Sequence, residues 1–228
     1  MPPPRLAALL ASLPRFIVEA SSALLAPARC AACDANVPLS TIFCPPCAIT
    51  VEPFHGVDPR AHAAFAYGGA VALALTRFKY QKRPDLAAPL AALLQRRVFA
   101  ALRAERPSIV APVPLHPARL AERGYNQAAL LARPLARALG ARFAPRALAR
   151  FRDTPRQTGL DRHARVSNVE RAFRVRQIEE RARVLLVDDV LTTGATLAAC
   201  ADALRNAGCG EIAAVVVARA ELGDRGAR

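Results

Sequence analysis

The sequence contains no tryptophan, a single methionine and only 5% aromatic residues. A core without large rings must be assembled from alanine, leucine and valine, and a hydrophobic fraction of 53% is ample for that. Nowhere does an unbroken apolar run approach the ~18 residues of a membrane-spanning helix, so no span is expected and the chain is expected to be cytoplasmic. Lysine is nearly missing as well. Lys79 and Lys82 are the only two, and arginine supplies the rest of the 32 basic residues. Acidic residues number 18, which leaves a net charge of +14 and a pI near 11.0. Such a balance favours anionic partners: phosphates, nucleic acid or acidic lipid. A GC-rich coding bias toward arginine and alanine gives the same composition, so charge alone does not identify nucleic acid.

The length of 228 residues suits one α/β domain with a small appended module. Residues 1–28 read as a helical lead-in. Their apolar stretch from Leu6 to Leu13 is short and stops at Pro14, and Phe16, Ile17, Ala20 and Leu24 follow at helical spacing. Two short helices packed on the body fit better than an export signal. Residues 29–52 form a cysteine-containing module, and 60–222 form the main domain. There, Ala63 to Tyr67 reads as a strand entering the Gly68-Gly69 turn. A helical pattern begins at Val71 and is interrupted by Pro84; Leu86, Leu90, Leu93 or Leu94, and Val98 then form an apolar stripe. Ser108 to Pro114 reads as a buried strand, Asn126 to Leu139 as a helix closed by Gly140, and Phe143 to Arg150 as an extended segment. Ala182 to Val187 reads as a strand, Thr196 to Asn206 as a helix closed by Gly208, and Ile212 to Ala218 as a final strand. This alternation predicts a parallel sheet with helices on both faces.

Cys30-x-x-Cys33 and Cys44-x-x-Cys47 aim two pairs of thiolates at one point, the donor set of a structural Zn2+. Four sulfurs leave no open coordination position, so no catalysis is assigned there. The alternatives are disulfides, which suit a cytoplasmic chain poorly, an iron–sulfur cluster, or a coincidence of spacing. The module is expected to have a core separate from that of the main domain. Cys200 and Cys209, in or just after a late helix, read as core thiols.

The most informative stretch is VLLVDDVLTTGATL, residues 184–197. A buried apolar run ends in Asp188 and Asp189, followed by a small, hydroxyl-rich turn and a helix. The strand carries the acids to the carboxyl edge of the sheet, where α/β folds bind ligands. Carboxylates accept hydrogen bonds from vicinal ribose hydroxyls and attract a divalent cation. Thr192, Thr193 and Thr196 offer hydroxyls, while Gly194 and Ala195 let backbone N–H groups approach a phosphate at a helix N-terminus. Acids for a sugar and a turn for a phosphate match a ribose 5-phosphate.

This loop resembles the phosphoribosyl pyrophosphate loop of type I phosphoribosyltransferases. With the four cysteines ahead of it, the chain resembles the competence protein ComF family over roughly residues 28–220. The likeness extends over VPLHPARLAERGYNQA (113–128) and RFRDTPRQTGLDRHARVSNVERAF (150–173). It implies a type I phosphoribosyltransferase-like parallel sheet flanked by helices, with a small N-terminal zinc ribbon. It further implies phosphoribosyl pyrophosphate as ligand with Mg2+, phosphoribosyl transfer to an acceptor that no motif names, and a role in DNA uptake beside single-stranded DNA and a competence helicase. Many such transferases have two glycines where this chain has Gly194-Ala195; alanine keeps its N–H but leaves less room.

By the same resemblance, His116, Arg119, Arg123, Gly124, Tyr125 and Asn126 occupy the pyrophosphate-loop position, and Arg119, Arg123, Gly124 and Asn126 are candidate ligand-binding residues. The polar stretch from Arg150 to Phe173, with Arg152, Arg156, Gln157, Arg162, Arg165 and Asn168, suits a lid closing over the ligand. Lys79 either reaches the pocket or is solvated, and His116 is either a proton carrier or simply polar. The competing reading is a binding module that keeps the ligand site without turnover and binds single-stranded DNA weakly through backbone phosphates, since stacking aromatics are scarce.

Overall fold

The computed structural model describes residues 28–151, 172–176 and 178–220. The expected lead-in and the central part of the expected lid, residues 152–171, lie outside the described residues.

Elements follow in the order α1 (Pro45–Ala48), β1 (His62–Ala66), α2 (Gly69–Tyr80), a 3-10 turn (Pro84–Leu86), α3 (Ala87–Ala104), β2 (Ile109–Pro112), α4 (Pro117–Arg123), α5 (Gln127–Leu139), β3 (Arg142–Phe143), β4 (Leu148–Arg150), β5 (Phe173–Val175), β6 (Val184–Leu191), α6 (Ala195–Asn206) and β7 (Ile212–Arg219). The main sheet has the order β1-β7-β6-β2-β3, and every pairing in it is parallel. Parallel strands need long crossovers, and these deposit helices on the faces. The central strand, β6, is therefore covered on both sides, and its first four residues, Val184 to Val187, are all buried.

Strand alternation divides the core in two. Val110, Leu185, Val187 and Val215 pack with Leu75 and Phe78 of α2, Leu90 and Leu94 of α3, and Leu131 and Leu135 of α5. Ile109, Ala111, Leu186 and Val216 pack instead with Leu197, Cys200 and Leu204 of α6. Cys200 is thus a core thiol, as expected, and Cys209 is partly buried beside the same cluster. The stripe read on α3 is buried at Leu90, Leu94 and Val98, and Leu102 joins it. Helix ends follow local chemistry: Asn126 caps α5, and Gly140 ends it in the left-handed region at φ 66°.

Three expectations need correction. Residues 143–150 are not one extended segment. A turn closed by Ala147 N–H to Ala144 O at 3.2 Å splits them between β3 in the main sheet and β4, which pairs antiparallel with β5. The strand read as ending at Val187 runs on to Leu191, because β7 keeps pairing with it as far as Leu191↔Arg219. Nor is the cysteine module's core separate: Cys30, Ala31, Ala32, Phe43 and Cys44 belong to the cluster that holds α2 and α3. Apolar residues between and beside the metal-type ligands give that module a face that must be buried against something, and the α2–α3 layer provides it.

Candidate functional site

The registers of β6 place its acids where they can be reached. β2 pairs with β6 only as far as Pro112↔Val187, whereas β7 continues past it. Asp188 and Asp189 therefore stand beyond the end of β2, with one ladder side open, at the carboxyl edge of the sheet. Being consecutive in a strand, they take opposite faces. Asp189 turns to the α2 side, where its side chain is buried and Lys79 Nζ lies 3.0 Å from Oδ2. That contact is an ion pair without hydrogen-bond alignment, and Oδ2 is a buried oxygen that accepts no hydrogen bond among the described residues. Lys79, ambiguous in sequence, is thereby placed in the site by a contact across 110 residues.

Asp188 takes the α6 side and keeps part of its surface open, while its Oδ1 accepts from the Asp189 N–H at 2.9 Å. The protein packed around it pushes its pKa up to about 7, and the Asp189 charge adds to the shift; Lys79 opposes it. Burial, and then the nearby Asp188 charge, raise the Cys200 thiol well above its ordinary value, so it is an inert core group rather than a nucleophile.

After Leu191 come exposed Thr192 and Thr193, then buried Gly194, and then α6 opening at Ala195 with Thr196 partly buried. Gly194 caps α6 in the left-handed region at φ 81° and offers no side-chain cap. Within the turn, Thr193 Oγ1 accepts weakly from Ala195 N at 3.4 Å. Uncapped N–H groups and the helix dipole together make this edge favourable to an anion.

The second segment lies beside it. α4 starts with His116 as its cap, the ring Nδ1 accepting from Ala118 N at 3.3 Å, and ends at Gly124 with φ 84°. Asn126 is committed to structure: its Oδ1 accepts from Ala128 and Ala129, and its Nδ2 donates to Val113 O at 3.0 Å. The Tyr125 hydroxyl donates to Phe78 O, and the two rings stack at 5.7 Å, tying this segment to α2. Arg123 donates to Gln127 and lies over the Tyr80 ring at 5.4 Å. A groove of about 340 Å³ opens here, lined by Lys79, Tyr80, Lys82, Arg119, Glu122 and Arg123. Lys79 lines this basic groove and also contacts Asp189. Arg119 and Arg123 line the same groove as Lys79, while Gly124 ends α4 and Asn126 caps α5. Tyr80, half-exposed in the groove, was not singled out from sequence.

The four cysteines converge as their spacing predicts. Their sulfur atoms all lie within 4.8 Å of one another, and no disulfide joins them. A tetrahedral ion with bonds of about 2.3 Å needs sulfurs roughly 3.8 Å apart, so the donor set fits a metal such as zinc. Burial raises the Cys30 thiol, but N–H groups of Cys44 (3.4 Å from the sulfur), Cys33 and Ala32 outweigh it and bring the pKa down to about 6. Such donors are what a metal-bound thiolate requires. From α2, buried Arg77 donates to the carbonyls of Cys30 and Ala31, each at 3.3 Å, and to Asp34. One turn of α2 therefore holds the cysteine module through Arg77, the 113–128 segment through Phe78 and the acid pair through Lys79.

Comparison with known proteins agrees with this architecture. The phosphoribosyl transferase domain family matches residues 126–227. Competence protein F of Haemophilus influenzae is 36% identical over 156 residues, covering 66% of this chain and 68% of that protein. The DNA utilization protein YhgH of Salmonella typhimurium is 34% identical over 149 residues, covering 64% of this chain and 66% of that protein. Its Escherichia coli counterpart is 34% identical over 139 residues, covering 60% and 61%.

Proposed function

The chain belongs to the competence protein F family, and from that footing we propose that it binds phosphoribosyl pyrophosphate, or a related ribose 5-phosphate ligand, at the edge between β6 and α6, in the service of DNA uptake. The observation that carries this reading is the buried Asp189, whose Oδ2 faces Lys79 but takes no hydrogen bond among the described residues, beside a helix start that Gly194 leaves without a side-chain cap of its own. A buried carboxylate oxygen left without a donor is costly, and a ribose hydroxyl supplies one.

In this reading Asp188 and Asp189 take the sugar hydroxyls from the two sides of the β6 edge, and the 192–196 turn takes the 5-phosphate. Lys79, Arg119 and Arg123 offset the charge of the pyrophosphate. The acid pair, Asp188 and Asp189, would attract an accompanying Mg2+, which would supply charge neutralisation for the pyrophosphate. Transfer would be displacement at the anomeric carbon by an acceptor. Cys30, Cys33, Cys44 and Cys47 hold Zn2+ in a structural role, consistent with a zinc ribbon. Heating the protein with and without phosphoribosyl pyrophosphate tests binding: ligand at a hundred times its Kd raises stability by about 2.7 kcal/mol. An acceptor screen reading released pyrophosphate then separates turnover from binding alone.

A second reading, a single-stranded DNA accessory without turnover and acting beside a helicase, is favoured by the basic groove with its half-exposed Tyr80. Arginine and lysine would hold backbone phosphates, and Tyr80 would add one stacking surface to what is otherwise electrostatic binding. A fluorescence titration with an oligonucleotide at two salt concentrations tests it. Affinity should fall steeply with salt, and no binding at low salt removes DNA as a direct partner. Among the described residues, no helix is long and apolar enough to cross a membrane.

A further inference from the structure

The phosphate turn is braced from behind by a residue distant in sequence. Arg60 lies just ahead of β1, and its Nη1 donates to Thr193 O at 2.9 Å. Its side chain runs so close to Gly194 that a Cβ there would stand 2.9 Å from Arg60 Cδ. The guanidinium is itself pinned. Nε and Nη2 donate to the two oxygens of Asp58 at 2.8 and 2.6 Å, and the Arg60 backbone N–H adds a third bond at 3.0 Å. Asp58 has a side chain only 2% exposed and accepts again from Arg219 Nε, at the end of β7, at 2.5 Å. Arg219 in turn lies over the Phe54 ring at 5.5 Å. A forked arginine–carboxylate pair has little freedom to rotate, so Arg60 presents its remaining donor in a fixed direction.

That direction matters because no peptide bond is cis among the described residues. In a trans peptide the C=O and N–H point opposite ways. Turning Thr193 O toward Arg60 therefore turns the Gly194 N–H away from it. No backbone carbonyl takes that N–H among the described residues. We propose that Arg60, pinned by Asp58, is a positioning residue that fixes the Thr193–Gly194 peptide so that the turn's N–H groups face the ligand's 5-phosphate. The same contact gives Gly194 a second reason to lack a side chain, beyond its φ of 81°. This inference rests on the reading of residues 192–196 as the phosphate site.

The test is calorimetry on the full chain with three probes: phosphoribosyl pyrophosphate with Mg2+, ribose 5-phosphate, and inorganic pyrophosphate. Arg60→Met keeps the side chain's bulk, and Asp58 retains Arg219. It should weaken both phosphoribosyl ligands by roughly 10- to 100-fold, as loss of aligned donors requires, and leave pyrophosphate affinity unchanged. Arg60→Lys, which can still donate to Thr193 O, should recover part of the loss. Asp58→Asn, which frees the guanidinium while leaving it in place, should move in the same direction as Arg60→Met. Equal affinity for ribose 5-phosphate in wild type and Arg60→Met would overturn the inference while leaving the phosphate site intact. So would equal losses for all three probes, the mark of a general structural defect. A wild-type protein that binds pyrophosphate but neither phosphoribosyl ligand would overturn the phosphate-site reading and this inference with it.

Discussion

Replacing Asp188 with asparagine should make the ligand-free protein more stable, and increasingly so as pH rises. In the folded state this carboxyl titrates near 7 rather than at its ordinary 3.8, because the surrounding protein penalises its charge and the Asp189 charge adds to that. The sign follows from proton linkage. Between about pH 4 and 7 the folded state holds a proton that the unfolded state has lost, so stability from this group falls as pH climbs through that window. Above 7 the cost is fully present. A shift of roughly three units corresponds to at most about 4 kcal/mol at ~1.4 kcal/mol per unit. Because the acids titrate as a pair, a share of about 2 kcal/mol is the reasonable expectation for Asp188 alone. Asparagine has no charge to bury and keeps an oxygen for the Asp189 N–H now bonded at 2.9 Å. Urea unfolding of both proteins in magnesium-free buffer at pH 5, 6, 7 and 8 reads the difference. The gain should be small at pH 5 and level off above 7, where about 2 kcal/mol shifts the melting temperature by roughly 4–8 °C. A gain independent of pH, or a loss at pH 8, would refute the reasoning.

Three further outcomes are expected. Cys44→Ser should release one equivalent of zinc by elemental analysis. It should also lower the melting temperature of the whole protein, because Cys44 and Phe43 share a core with α2 and α3. Arg77→Met should destabilise by about 2–4 kcal/mol in chemical denaturation, since a buried guanidinium serving two carbonyls and Asp34 is lost. Asp34 keeps Arg83 at 2.9 Å, so no charge is left unpaired. Leu94→Ala, at a fully buried position of α3, should cost about 2–5 kcal/mol while leaving ligand affinity unchanged by calorimetry.

What could be read from sequence had a local physical signature. The parallel α/β alternation shows in the apolar run of β6 and in the stripe on α3, and the two Cys-x-x-Cys pairs show in their spacing. The Asp188–Thr196 stretch was legible because acids directly after VLLV are hard to place in an ordinary turn. Local patterns failed where tertiary contacts decide. The acids looked like strand terminators, yet β7 carries the ladder on to Leu191. Gly124 and Asn126, read as ligand groups, also end one helix and cap the next, a backbone role the local pattern did not separate from binding. Lys79 and Arg60 meet the site across 110 and 133 residues, and nothing around either announces it.

The most direct measurement is calorimetry of phosphoribosyl pyrophosphate with Mg2+ on wild type and Asp189→Ala. Wild type should bind at one site. The variant, lacking the carboxylate proposed to meet the ribose, should lose about 1.5–3 kcal/mol, or roughly 10- to 150-fold in Kd. Unchanged affinity in the variant would contradict the account, as would no heat of binding in wild type.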